Sequence, residues 1–412
     1  MHSVNGSRIL DGIRVLELGR IVAAPTAGQI LADLGADVVK VERPGAGDDG
    51  RRYGPVFARD EKTGKPGDSA YYLACNRNKR SITVDLSKPE GQQLIRSLVK
   101  HSDVVIENYK VGDLAAFGLD YESLKALKAG LIYCSLTGYG QTGPYADRPG
   151  LDTIFQAQSG LMSVTGLPDG VPGAGPMQVG IVAIDVITGY NAAMAVLAAL
   201  LHRERTGVGQ SLDIALFDSA VALMSHAAQQ YLVSGESPKR HPTMGVPMGP
   251  AEVFQCADGP ALILGTRDAA FEGLCRVLGV PELSQDPRFR TSGERFRRKE
   301  ELRDILAPLV KRWRRQELLD ALGRANVSAG PVNDMADVFA DPQVRARGMA
   351  QPLADERYPD LKVVGSPLRF GKTPVRYERA PPALGENTDA VLAEILGLGG
   401  DEISALRSRN VI

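Results

Sequence analysis

The first 137 residues alternate between two periodicities, and that alternation limits the fold more than any single motif. "IRVLEL" (13–18) is a short apolar run, "PTAGQILADLG" (25–35) has helical spacing and stops at glycine, and "DVVKVE" (37–42) is apolar again. The cycle repeats through "SITVDL" (81–86), a helix from Pro89 to about Lys100, "DVVIEN" (103–108) and "LIYCSL" (131–136). Strand, helix, strand at this spacing predicts βαβ units and a parallel sheet.

Further on, "IVAIDVITGYNAAMAVLAALLH" (within 178–202) predicts a long helix that is nearly apolar all round, so it should be buried in the core or against a partner subunit. A strand, "SLDIAL", follows. From about 224 the texture changes. "AEVFQCADGPALILGT" predicts a hairpin turning at Asp258-Gly259, and charged helices follow through 325, with the Lys311–Arg315 cluster as a solvated helix face. The tail has a hairpin-like segment at about 361–370 and a last amphipathic helix, "NTDAVLAEILG". The layout expected is a large α/β domain (1–223), a small inserted α+β domain (224–330) and a C-terminal return completing the large domain (331–412).

Composition excludes several functions. With 412 residues and a net charge of −1, the chain has no general electrostatic case for nucleic acid or an anionic membrane. Its four cysteines are far apart without a CxxC pair, and they read as buried thiols in a reducing, cytoplasmic setting. The five histidines show no metal-binding spacing, so no metal is expected. GxGxxG, GxxxxGK[ST] and GxSxG are all missing, which disfavours a dinucleotide enzyme, a P-loop ATPase and a serine hydrolase.

Carboxylate chemistry remains. The turn "TGLPDG" presents Asp169 among small residues, and a carboxylate there can attack an activated acyl carbon to split one transfer into two steps. Locally, the acid of an ordinary Asp-Gly turn is the better description. "MGVPMGP" (244–250), with Gly245 and Gly249, supplies a second flexible loop over such a site. Arg20 and Arg43 at strand ends, and "NRNKR" (76–80), offer scattered positive charge for phosphates. In "PKRHPTMG", Arg240 and His241 could pair with a distal carboxylate; a charged surface loop is the plain alternative.

Several blocks in order resemble the class III CoA-transferases, the CaiB/BaiF family. They are "LDGIRVLELGRIVAAPTAGQILADLGADVVKVERPGAGD", "NRNKRSITVDLSKPEG", "DVVIENYKVGDLAAFGLDYESL", "SLTGYGQTGPY", "DTIFQAQSGLMSVTG" with its "PDG", and "RTGVGQSLDIALFDS". The resemblance runs nearly end to end. It implies a Rossmann-like CoA-binding domain and an interlocked homodimer that moves CoA from an acyl-CoA donor to a free carboxylic acid. CoA thioesters are then substrates, and no cofactor is called for. The family's nucleophilic aspartate, which passes through anhydride and thioester states, falls on Asp169. Its CoA contacts fall on Arg20, Ile21, Val22, Ala23, Arg43, Val84, Asn108, Tyr109 and Tyr139.

Where some members carry basic residues, this chain has Ser87, Ala116 and Thr137, which passes the phosphate contacts to Lys79, Arg80, Lys88 or Lys110. "MGVPMGP" also replaces the tetraglycine loop of the formate- and oxalate-using members. The expected donor is succinyl-CoA and the expected acceptor a C4–C5 dicarboxylate. Two alternatives stand beside this reading. One is an α-methylacyl-CoA racemase, whose His-Asp dipeptide aligns with Leu151-Asp152 and whose partner acid aligns with Asp185. The other is a non-catalytic acyl-CoA-binding protein.

Overall fold

A computed structural model of the chain describes residues 8–240 and 248–412; His241 and Gly245 lie outside the described residues. Two compact units emerge, the first drawn from within Met1–Leu161, Gln178–Glu236 and Arg345–Ile412, the second from Met162–Met177 and Ser237–Val344. These units divide the sequence differently from the ranges 1–223, 224–330 and 331–412. The stretch 162–177 groups with the second unit, and the helix Ser225–Ser234 stays with the first because it follows directly on the helix Leu216–Leu223.

The main sheet of the first unit and the helices around it include β1 (Arg14–Glu17), α1 (Ala23–Asp33), β2 (Asp37–Glu42), β3 (Arg80–Thr83), α2 (Pro89–Val99), β4 (Val104–Glu107) and β5 (Ile132–Thr137). After them come α3 (Asp152–Gln158), α4 (Ala183–Thr206) and β6 (Ser211–Ala215). All six strands are parallel, in the order β3-β2-β1-β4-β5-β6. This is the doubly wound order of mononucleotide-binding sheets.

Successive residues feed opposite cores. Leu16, Val39, Ile82 and Val105 face α2 and the C-terminal residues Val391, Leu392 and Val411, whereas Val15, Val38, Val104 and Ile132 face α1 and α4. Burial on both faces is why these strands read as short apolar runs. The helix α4 is long and apolar enough to cross a membrane by length and composition, yet it lies along α1. Gly189 permits that approach, since a Cβ there would stand 2.7 Å from the Ala23 carbonyl oxygen.

The second unit has its own core of Phe254, Ile263, Phe271, Leu274, Leu306 and Leu322. The expected hairpin is present as β7 (Ala251–Cys256) and β8 (Gly259–Leu264), and β9 (Ser328–Pro331) pairs antiparallel with the other edge of β8. The helices Asp268–Val277, Lys299–Val310 and Arg315–Arg324 pack on this core, with shorter helices beside them. Two local expectations change. The Lys311–Arg315 cluster forms the turn between two helices, because Trp313 O and Arg315 N bond to the hairpin turn at Ala257 and Asp258. In the tail, Lys362–Val364 pairs with Ala350–Pro352, not with residues beside it.

Candidate functional site

In a sheet of this order the crevice opens at the carboxyl ends of the strands where the order reverses, here between β1 and β4. A cavity of about 630 Å³ lies there, lined by Arg20, Ile21, Val22 and Ala23 after β1 and by Asn108, Tyr109 and Lys110 after β4. A second cavity of about 300 Å³ shares Arg20 and Tyr109 with the first and extends past Arg43 to Val84 and Phe117.

Buried charge shapes the turn after β1. Asn108 accepts from Arg20 N–H at 2.9 Å and donates to the Arg20 carbonyl at 2.9 Å. Ile21 has φ of 70°, an unfavourable conformation for a β-branched residue, and its N–H donates to Asp48 Oδ1 at 2.9 Å. Asp48 is held in turn by the fully buried Lys40 Nζ at 2.8 Å, which also meets Glu17 at 3.0 Å and donates to the Gly19 carbonyl at 2.8 Å. Burial works against the Lys40 ammonium, but Asp48 and Glu17 more than offset it and hold its pKa above the usual lysine value. Burial likewise works against the Asp48 carboxylate, and Lys40 outweighs it to keep that carboxyl below its usual range.

Carboxyls with raised pKa stand at the same strand and helix ends. Asp185 lines the larger cavity, and burial, then the neighbouring Asp152, push it up to about 7. Asp152 accepts from the N–H groups of Ile184 at 2.7 Å and Asp185 at 3.0 Å, satisfying the start of α4. Glu107, at the end of β4, is raised to about 7 by burial, with Asp113 and Asp213 adding to it against bonds from Ser135 and the Tyr109 N–H.

In the second unit, Asp169 sits in a turn with its side chain 89% exposed. Its loop is closed by Met177 N–H donating to Thr165 O at 2.9 Å, and it passes through Gly166 at φ 120°, where a Cβ would lie 2.3 Å from Gly175 O. The Arg240 guanidinium contacts the Asp169 carboxylate and donates to Leu167 O at 2.9 Å. The Gly249 carbonyl is pinned by the fully buried Arg295, whose Nε donates at 2.8 Å.

A family profile described as CoA-transferase family III matches residues 10–388. The chain belongs to that family. It is 46% identical over 386 residues to the succinate–glutarate CoA-transferase of Agrobacterium fabrum, covering 94% of this chain and 95% of that one. It is 37% identical over 409 residues to the human succinyl-CoA:glutarate CoA-transferase, covering 99% and 91%. A crystal structure of a CaiB/BaiF family protein from Brucella suis superposes with a TM-score of 0.85 at 43% identity, covering 94% of this chain and 100% of that one.

For this CoA-transferase, several basic residues expected at the CoA phosphates have other partners. Lys79 is fully buried, with Glu17 Oε2 at 2.8 Å and the Pro25 carbonyl at 2.8 Å. Arg80 opens β3, at the end of the sheet away from the crevice, where it pairs with Asp37 and, at 2.7 Å, with Glu394. Lys88 donates to the carbonyls of Arg409 and Asn410 at 2.7 and 3.0 Å. Of that set Lys110 alone lines the larger cavity. Tyr139 packs against Phe155 and Phe217, and its hydroxyl donates to Gln158 at 2.8 Å. Leu151, where a racemase needs a base, is exposed and has no proton to exchange. Sequence reasoning passed over Asp48, Asp49 and Arg52; the run "GDDGRR" just after β2 was the available signal.

Proposed function

We propose that the chain transfers CoA from succinyl-CoA to glutarate or a related C4–C5 dicarboxylic acid, with Asp169 as the nucleophile. The observation that carries this reading is the 46% identity, across nearly all of both chains, to a succinate–glutarate CoA-transferase. Asp169 adds chemical support: it is an exposed turn carboxylate with a single guanidinium against it.

In this reading the nucleotide end of CoA occupies the smaller cavity, and the pantetheine arm runs past Arg20 and Tyr109 into the larger one. The Asp169 carboxylate attacks the thioester carbonyl; the C–S bond breaks and CoA leaves as its thiolate, giving a mixed anhydride. The thiolate then attacks the aspartyl carbonyl, expelling succinate and forming an aspartyl-CoA thioester. The acceptor carboxylate repeats the first step on that thioester, and the released thiolate takes the acceptor's acyl group, freeing Asp169. While Asp169 is acylated it carries no charge, so Arg240 is available to a substrate carboxylate. The exchange calls for no cofactor, because donor and acceptor supply every group transferred.

The working unit in this reading is a homodimer. Tyr190, Met194 and Leu201 fall on one face of α4 and are exposed in the single chain.

Incubation with succinyl-CoA and a panel of acids, with CoA esters resolved by mass spectrometry, tests the substrate assignment. Glutaryl-CoA should form first and fastest among the products. Absence of any new dicarboxylyl-CoA, or full transfer by Asp169→Ala, overturns the reading.

A further inference from the structure

Three arginines converge on one carboxylate beside the wall shared by the two cavities. Asp49 Oδ1 meets Arg43 at 3.0 Å and Arg52 at 2.8 Å, and its Oδ2 stands 3.6 Å from Arg20. One carboxylate neutralises one guanidinium, so three leave a surplus of two positive charges. Close packing of like charge is unfavourable unless a second anion joins them. Arg20 also shows an unmet need: its Nε is buried without an acceptor among the described residues, while its guanidinium lies over the Tyr109 ring at 5.0 Å. Arg20 and Arg43 line the smaller cavity, and Arg20 lines the larger. Two of the three guanidiniums therefore face the junction of the two cavities, and Arg52, which lines neither, joins them through the shared Asp49. Lys79, Arg80 and Lys88 are each engaged elsewhere, so beside Lys110 and Arg148 on the larger cavity this junction is where cations meet on the cavity walls.

We propose that Arg52 is a third arm, with Arg20 and Arg43, of a clamp for the phosphate groups of the CoA thioester, and that Asp49 is the counter-anion the three share at rest. The inference rests on the placement of CoA described above. Each guanidinium has five donors; Arg52 spends one nitrogen on Asp49 and the other on the Ala46 carbonyl, and the hydrogens left over let a phosphate be taken without rebuilding the turn. The phosphate competes with Asp49 for donors already gathered in one place.

The test measures binding of CoA, dephospho-CoA and pantetheine to the full-length wild type and to variants. Arg52→Ala should weaken CoA about tenfold, the worth of one charge-assisted contact, and pantetheine less than twofold. In steady state that loss should appear in KM for the CoA thioester and not in kcat. Arg52→Gln keeps the aliphatic stem and should show the same pattern, and thermal unfolding of both variants monitors the fold. Asp49→Asn removes the competing charge and should tighten CoA severalfold without tightening pantetheine. Dephospho-CoA decides the source: an undiminished Arg52→Ala effect assigns the diphosphate, a lost effect the 3′-phosphate, and either supports the clamp. Equal losses for CoA and pantetheine, or no loss for either, overturn it, and weaker CoA binding by Asp49→Asn overturns the counter-anion. If the wild type itself does not prefer CoA to pantetheine, the placement of CoA fails. If the wild type prefers CoA and the Arg52 variants prefer it equally, the clamp alone fails.

Discussion

Asp169 and Asp185 are both aspartates, and their surroundings make them chemically different. Asp169 stands in water against the Arg240 guanidinium, with its carboxylate open to an electrophile. We expect Asp169→Ala to lower transfer by about four orders of magnitude, since both covalent states are lost. Hydroxylamine added with succinyl-CoA should convert Asp169 to a hydroxamate detectable in its peptide. Arg240→Ala should raise KM for the acceptor acid about tenfold, read from initial rates at saturating donor.

Asp185 is the opposite case. Burial and Asp152 lift its pKa from 3.8 to about 7, so between those values the native state holds a proton that the unfolded chain has released. Unfolding free energy from this group then falls as pH rises through that window, by up to about 1.4 kcal/mol per pH unit, and is flat above it. Asp185→Asn should remove this slope. Its stability relative to wild type, from urea midpoints, should improve from pH 5 to pH 8.

At the level of elements, the turn after β1 is held by charges buried under it. Lys40→Met would leave Asp48 without its cation, and we expect a loss of about 3–5 kcal/mol in unfolding free energy. Gly189→Ala should cost about 1–3 kcal/mol, because the added Cβ meets the α1 backbone and neither helix can retreat from the sheet. The alternation of strands and helices was legible because both sheet faces are buried, which made each strand a compact apolar run. The charges among them were not. Lys40 in "DVVKVE" looks like a solvated position until register sets it beside Glu17 on β1. The partner of Lys79 was illegible for the same reason: the carboxylate that neutralises it lies on β1, with α1 and β2 between. The crevice residues Arg20, Asn108 and Tyr109 could be picked out by their position after strands and by family resemblance. The Arg20–Arg43–Arg52 convergence depends on how a short 3₁₀ turn at Asp49–Arg52 folds back, and no periodicity encodes that.

On the scale of the whole molecule, the apolar stripe on α4 bears on assembly. If the homodimer forms through it, light scattering should give twice the chain mass, and Met194→Lys with Leu201→Lys should shift the population toward monomer without loss of helix signal. The inserted unit has a further consequence. One face of the parallel sheet is covered in part by α2 and in part by Val391 and Leu392, on the helix Thr388–Leu396, whereas β1 to β4 end by Glu107. During synthesis the ribosome must therefore make the whole of 237–344 before it makes the helix that completes that cover. Nascent chains will display an apolar sheet surface throughout this interval, so yield in the cell should depend on chaperone capacity more than the finished protein's stability would suggest.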